Sequence, residues 1–148
     1  MYYFSNNNEI RYLKELTIDY NKILKLILKG DGIENLKFLE NINLMELKEI
    51  YLNNNKISDI EILKKVKFDK LEILNLGYNN ISNISILEYV NFKELKELNL
   101  EYNKISDIEV LKKVKFDKLE ILNLKNNNIL NKKSSIINYL QSNIHLIL

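Results

Sequence analysis

The segment LEILNLGYNNI at residues 71–81 is one copy of a pattern that recurs along most of the chain. From Ile23 onward, the 148-residue sequence aligns in five repeats of 24 residues, which begin at residues 23, 47, 71, 95 and 119. Positions 1, 4 and 6 of every repeat hold leucine or isoleucine, position 9 holds asparagine or aspartate, and position 11 holds isoleucine. A fixed period of this length is typical of a solenoid built from stacked coils.

The first half of each repeat has the alternation of a half-buried strand. Apolar positions 4 and 6 alternate with variable positions 3, 5 and 7. One strand per repeat cannot cover its own apolar side, so the repeats are predicted to stack and pair in parallel. We expect the position 9 asparagine to bond buried backbone groups of the turn, because a carboxamide both donates and accepts. Asp31 breaks this column, and an irregular first repeat is expected there.

The second half of each repeat is predicted to form a short helix. Apolar residues recur at i, i+3 and i+6, as in Ile60, Leu63 and Val66, which indicates one apolar stripe. Ser58 and Glu61 have the spacing of a capping box. A buried aromatic stack is predicted behind the sheet at position 22, which holds Leu44, Phe68, Phe92 and Phe116.

The whole chain, residues 1–148, is predicted to be a single domain. It comprises an N-terminal cap over 1–22, five repeats over 23–131 and a C-terminal cap over 132–148, because the open ends of a solenoid need cover. Two repeats are near copies, since ISDIEILKKVKFDKLEILNL and ISDIEVLKKVKFDKLEILNL differ only at Ile62 and Val110. Their spacing of 48 residues indicates duplication of a two-repeat unit.

The caps have their own patterns. Residues 13–18 are either a decayed repeat or one arm of a hairpin, and we favour a strand antiparallel to residues 23–28. At the other end, residues 134–142 are predicted to be a helix and residues 144–148 a final strand. An uncovered outer edge on that strand would be open to pairing with another chain.

The column pattern L-x-x-L-x-L-x-x-N-x-I resembles the leucine-rich repeat family. The resemblance implies an α/β fold: a right-handed curved solenoid with a parallel sheet on the concave side and short helices on the convex side. Within the family, the pattern is most similar to the intracellular phosphatase-regulator and internalin-like type. The repeats of that type are shorter, about 22 residues, and the two extra residues here lengthen the convex segment.

The sequence contains no catalytic constellation. His145 is the only histidine, and it has no partners for a Ser–His–acid triad or a metal cluster. The segment LKGDGI lacks the spacing of a phosphate-binding loop, and turn geometry explains Gly30 and Gly32. Cysteine is absent, which excludes thiolate sites. We therefore expect no enzyme, no cofactor and no metal site.

Charge and hydropathy restrict the partners. The formal net charge is +2, with 46% apolar and 28% charged residues. No apolar run reaches the roughly 18 residues of a membrane span, and MYYFSNNNEI lacks the features of a secretory signal. These features favour a cytoplasmic protein without a membrane partner. Nucleic-acid binding is the least favoured interaction, because acidic residues dilute the lysines Lys64, Lys65, Lys67, Lys112, Lys113 and Lys115.

The concave face of the sheet is the candidate binding surface. Its outward positions 3, 5, 7 and 8 are columns that we do not expect the fold to dictate. Tyrosine is favoured at interface hot spots, and solenoids usually bind through this strip. The predicted partner contacts are Glu49, Tyr51, Asn53, Ile73, Asn75, Tyr78, Glu97, Asn99, Glu101, Tyr102, Ile121 and Asn123.

These observations lead to a leading hypothesis and an alternative. The first is a non-catalytic protein–protein interaction module, acting as a scaffold or regulatory subunit. The alternative is a structural repeat protein that self-assembles through its terminal edge strand. We expect a monomer or weak self-association.

Overall fold

The structure is a computed structural model that describes residues 2–3, 23–30, 32–130 and 135–148. Seven short strands form one parallel sheet in chain order. The strands are β1 (Tyr2–Tyr3), β2 (Lys25–Ile27), β3 (Glu49–Tyr51), β4 (Ile73–Asn75), β5 (Glu97–Asn99), β6 (Ile121–Asn123) and β7 (His145–Ile147).

Each strand pairs with its neighbour at an offset of one repeat. Leu74 lies opposite Ile50 on one side and Leu98 on the other, 24 residues away in each direction. The middle residue of β2 to β6 is buried, whereas the two flanking residues are half-buried or exposed. The predicted alternation and the parallel stacking of the repeats are therefore confirmed, and the fold is an α/β leucine-rich repeat solenoid.

The convex side consists of 3₁₀ helices rather than α-helices. A 3₁₀ helix has three residues per turn, so side chains at i, i+3 and i+6 lie in one line. The helices here span only four or five residues, so one apolar residue of each predicted stripe lies within the helix: Leu63, Leu87 and Leu111 are buried beneath it. These helices span Lys37–Asn41, Glu61–Lys64, Ser85–Tyr89 and Glu109–Lys112.

The predicted capping box is wrong. Ile60 is the N-cap of the helix Glu61–Lys64, without a side-chain cap. Asp59 Oδ1 instead accepts the Glu61 N–H at 2.8 Å, because an aspartate two residues earlier can close an Asx turn. The second copy repeats this arrangement, with Asp107 Oδ1 accepting the Glu109 N–H at 2.9 Å.

The column at position 22 forms the predicted buried stack, with one exception. Phe68 and Phe92 are each 1% exposed. The Phe92 and Phe116 rings are stacked with centroids 6.2 Å apart, but Phe116 is only partly buried. Leu44 continues the column into the first repeat and is also buried.

The N-terminal edge of the sheet begins one strand earlier than the leucine pattern shows. The outer edge of β2 pairs in parallel with β1, where Tyr2 lies opposite Leu26 at the same 24-residue offset. Residues 13–18, which carry the predicted hairpin arm, and Asp31 lie outside the described residues, so the hairpin and the irregular first repeat stay predictions.

The C-terminal segment has the predicted helix and strand. Helix α1 (Ser135–Asn143) buries Ile136, Ile137 and Leu140 against the core. Strand β7 follows and pairs with β6, with Leu146 opposite Leu122. Among the described residues, no helix is long and apolar enough to cross a bilayer. The domain and cap boundaries stay predictions.

Candidate binding face

The predicted contact residues lie on one side of the sheet. Side chains alternate along a strand, so those that flank the buried centre of each strand point away from the core. This concave face receives eight predicted residues from the strands: Glu49, Tyr51, Ile73, Asn75, Glu97, Asn99, Ile121 and Asn123. The other four follow the carboxyl ends of the strands: Asn53, Tyr78, Glu101 and Tyr102.

A ladder of asparagines at position 9 supports the turn after each strand. Asn79 Oδ1 accepts the Ile57 N–H at 3.0 Å, 22 residues earlier in the chain. Its Nδ2 donates to the carbonyls of Leu52 and Leu76, both at 3.0 Å. The predicted role of this column is thereby confirmed. The asparagine ladder comprises Asn55, Asn79, Asn103 and Asn127.

Position 8 has a left-handed backbone in every repeat. Its φ is 77° at Gly30, 58° at Asn54, 56° at Tyr78, 49° at Tyr102 and 56° at Asn126. Glycine and asparagine adopt this conformation readily, whereas bulky side chains are strained in it. The expectation that the fold leaves position 8 free is therefore wrong: the backbone favours glycine or asparagine, and two repeats carry tyrosine instead.

The two tyrosines at position 8 form a stacked pair. The ring centroids of Tyr78 and Tyr102 lie 4.3 Å apart with an interplanar angle of 16°. Their exposed fractions are nevertheless 44% and 45%, so much of the pair faces solvent. Desolvation raises the pKa of the Tyr78 hydroxyl, and the neighbouring Tyr102 and Glu101 raise it further. We call these two residues the tyrosine pair.

Three asparagines at position 5 hold the backbone of position 7. Asn75 Oδ1 accepts the Gly77 N–H at 3.1 Å, and Asn99 Oδ1 accepts the Glu101 N–H at 2.9 Å. Asn123 Oδ1 makes the same bond to the Lys125 N–H at 3.0 Å. The amide oxygens of this column are thus occupied by the fold, which corrects the expectation that position 5 is undictated in these repeats.

Glu101 is oriented by its neighbours. Its two carboxylate oxygens accept N–H bonds from Asn99 Nδ2 and Asn123 Nδ2, each at 3.3 Å. A side chain at Gly77 would crowd it, because a Cβ there would lie 3.1 Å from Glu101 Cγ and 3.2 Å from Asn99 Oδ1. Gly77 is not among the twelve predicted contacts, although it stands at outward position 7 of this face, beside the glutamate at position 7 of the next repeat.

Tyr51 belongs to a different cluster on the same face. Its hydroxyl donates to Glu49 Oε2 at 3.1 Å, and Lys25 Nζ lies 2.6 Å from the same oxygen. Lys25 Nζ also lies 4.8 Å from the centroid of the Tyr51 ring. The hydrogen bond to Glu49 raises the pKa of Lys25, while burial raises the pKa of Tyr51. Lys25 was not among the predicted contacts.

The lysines of the convex side are largely paired. Lys65 lies 2.8 Å from Glu40, and Lys113 lies 3.5 Å from Glu88, each bridging consecutive repeats. Lys64 and Lys112 form ion pairs within their own helices. These contacts reduce the positive charge available to a phosphate backbone. In the described part of the chain, no group of three or more acidic or histidine side chains could hold a metal ion.

The family profile described as Leucine Rich repeats (2 copies) matches residues 46–89 and 69–113. The profile described as Leucine Rich Repeat matches residues 118–142. Together the matches cover more than half of the 148 residues. A comparison with curated proteins finds no match.

Among solved structures, the chain is similar to internalin C2 from Listeria monocytogenes, with a TM-score of 0.70 and 28% identity over 86% of this chain. It is also similar to a leucine-rich repeat protein from Leptospira interrogans, with a TM-score of 0.64 and 23% identity over 80% of this chain. The chain spans 52% of the internalin chain and 29% of the Leptospira chain. The internalin-like resemblance is confirmed, and the phosphatase-regulator resemblance stays a prediction. The chain belongs to the leucine-rich repeat proteins.

Proposed function

We propose that this chain is a non-catalytic module that binds a protein partner through the concave face, as a scaffold or regulatory subunit does. Leucine-rich repeat proteins generally mediate protein–protein interaction, which supports the class of function. The predicted contact set carries over as the proposed site, with the tyrosine pair at its centre. A cytoplasmic location belongs to the same proposal, since a cysteine-free chain suits a reducing compartment.

The observation that carries the proposal is the tyrosine pair. Tyr78 and Tyr102 adopt a backbone conformation that disfavours bulky residues, yet their rings stay about half exposed. Backbone strain of this kind costs on the order of 1 kcal/mol per residue and persists mainly where another role compensates for it. Exposed, rigid aromatic surface is the usual anchor of a protein interface.

Affinity capture followed by mass spectrometry tests this proposal. The bait is the chain itself, compared with the double variant Tyr78→Asn/Tyr102→Asn, which puts the residue of Asn54 and Asn126 at both sites. Tyr89→Asn is the matched control, because Tyr89 is 70% exposed on the convex side. We expect the partner captured by the parent and by the control to be lost from the double variant. Equal capture by all three baits would reject the concave face as the site.

Self-association through β7 is the second candidate. Strand β7 pairs with β6 on one side, and no described strand covers its other edge. An open edge can pair with another chain. Light scattering across a concentration series distinguishes the two candidates, since edge pairing raises the mean mass with concentration. A constant monomer mass would remove this candidate.

A further inference from the structure

Among the described residues, the concave face carries two tyrosine–glutamate clusters, one with a cation and one without. In the first cluster, Lys25 supplies the positive charge to the Glu49 carboxylate and to the face of the Tyr51 ring. This arrangement combines an ion pair with a cation–π contact, and both interactions are satisfied within the chain. It demonstrates that an ammonium group, a carboxylate and a tyrosine ring fit together on this surface.

The second cluster has the same ring and carboxylate chemistry without the cation. It consists of the tyrosine pair together with Glu101, whose Cγ would lie 3.1 Å from a Cβ at Gly77, the residue before Tyr78. Glu97 stands four residues earlier in the same repeat, outside this cluster. Glu101 receives only neutral amide N–H bonds, and Glu97 lies between Ile73 and Ile121 of the adjacent strands. No lysine of the described residues forms an ion pair with Glu97 or Glu101. Eight other described glutamates do pair with a lysine.

Lys125 is the cation nearest to Glu101 in the repeat pattern, at the same position of the next repeat. Its backbone N–H is bonded to Asn123 Oδ1, and its exposed side chain makes no ion pair with Glu101. No ammonium group of the described residues therefore pairs with this carboxylate, which lies on a surface that also offers aromatic rings.

We propose that this second cluster binds a lysine or arginine side chain of the partner protein, so the partner segment is basic. The inference rests on the proposed function and adds the chemistry of the partner. A guanidinium or ammonium group can contact the ring surface of the tyrosine pair and pair with Glu101. Ile73 and Ile121, which is 36% exposed, offer apolar contact on either side of Glu97. The best fit is therefore a segment that carries a basic residue and, further along the strand direction, an apolar residue. An acidic segment would meet Glu97 and Glu101 and be repelled.

Selection from a randomised 12-residue phage-displayed peptide library on the immobilised chain tests the partner chemistry. We expect the selected peptides to share at least one position enriched in arginine or lysine, together with an apolar position elsewhere in the peptide. Selection on Tyr78→Asn/Tyr102→Asn should lose that enrichment. A selection without basic enrichment, with acidic enrichment, or with no enriched peptides would overturn the proposal.

The best selected peptide then allows a direct affinity measurement. Replacing its conserved basic residue with neutral citrulline should weaken binding about tenfold or more, as expected for the loss of an ion pair and a cation–π contact. Glu101→Gln removes the charge but keeps the shape of the side chain and one of its two accepting oxygens. It should cause a comparable loss, whereas Glu34→Gln is the control, because Glu34 is exposed and unpaired in the described residues. Unchanged affinity for citrulline and for Glu101→Gln would overturn the proposal.

These outcomes separate this inference from the proposed function. Peptides that lose binding to Tyr78→Asn/Tyr102→Asn but show no basic preference would leave the concave face as the site and reject a cationic partner. Peptides that bind the parent and every variant of the face equally would reject both.

Discussion

The asparagine ladder and the tyrosine pair occupy consecutive positions of the repeat, and the fold acts on them in opposite ways. Asn79 is 7% exposed and bonds backbone groups of its own and the preceding repeat. Tyr78, one residue earlier, is 44% exposed and has a φ of 56°. The asparagine satisfies a requirement of the solenoid, whereas the tyrosine is held in a conformation that suits asparagine better.

The difference marks the two positions where the sequence departs from the preference of the fold, and under the proposed function this departure serves binding. Local preference and global fold agree at most positions of a natural protein, and departures concentrate at functional sites. Gly30, Asn54 and Asn126 follow the backbone preference of position 8, so the repeat itself supplies the reference for the two tyrosines.

The largest effect is expected from breaking the ladder. Asn79→Ala leaves the buried Ile57 N–H without its acceptor. The Leu52 carbonyl loses one of its two side-chain donors and keeps Asn55 Nδ2. An unsatisfied buried group costs about 1–3 kcal/mol, so we expect a loss of about 2 kcal/mol in the free energy of unfolding by urea. Asn80→Ala is the control, since Asn80 is exposed and should change stability little. A loss below about 1 kcal/mol for Asn79→Ala would contradict the role of the ladder.

A smaller loss is expected at Gly77, beside the tyrosine pair. The new methyl group of Gly77→Ala would press on Glu101 Cγ and on the Asn99 oxygen. Overpacking costs about 1–3 kcal/mol, and the reduced freedom of the unfolded chain returns about 0.4–1 kcal/mol. We expect a net loss of about 1 kcal/mol in urea unfolding. The same substitution in a Glu101→Ala background should lose much less, and an equal loss there would show that Glu101 is not the cause.

The charged residues at position 2 of the repeats predict that the stability of the chain depends on pH. Lys96 and Lys48 lower the pKa of Glu72 to about 2, and the Glu72 side chain lies 2.7 Å and 2.9 Å from their ammonium groups. A carboxylate whose pKa is lowered by folding stabilises above its unfolded pKa, and this contribution disappears as the pH falls from about 4.5 towards 2.

Because Glu72 and its two lysine partners are partly exposed, Glu72→Gln should lose about 1 kcal/mol or less in the free energy of unfolding at neutral pH. Urea unfolding of the parent and of Glu72→Gln should give curves that converge as the pH approaches 2. A difference that stays constant through this range would show that the charge of Glu72 is not responsible.

Much of the fold could be predicted from the repeat columns. The strands, the buried leucines and the asparagine ladder follow from alternation and from the hydrogen-bonding groups of asparagine. Strand β1 was missed because Tyr2 and Tyr3 do not carry the leucine pattern, although they lie one period before Leu26 and Ile27. The capping box was wrong because Asp59 competes with Ser58 for the same backbone N–H, and spacing alone does not decide between them.

The sequence predicted the candidate face as a set of columns. It did not predict how the residues within those columns differ in backbone conformation and in their contacts. A φ value cannot be read from a tyrosine in a sequence, so the strain at Tyr78 and Tyr102 required the backbone. The contacts of Lys25 with Glu49 and Tyr51 connect consecutive repeats. Such contacts depend on the register between strands, which became visible only in the folded sheet.

The central claim is that the tyrosine pair serves binding rather than folding. Urea unfolding of Tyr78→Asn/Tyr102→Asn tests it most directly. Relief of the left-handed strain gains on the order of 1 kcal/mol per residue, and loss of the ring stacking removes about 0.5–1.5 kcal/mol. We predict an unfolding free energy equal to that of the parent or about 1 kcal/mol higher. A decrease of more than about 1 kcal/mol would contradict the claim, since the two tyrosines would then be retained for stability.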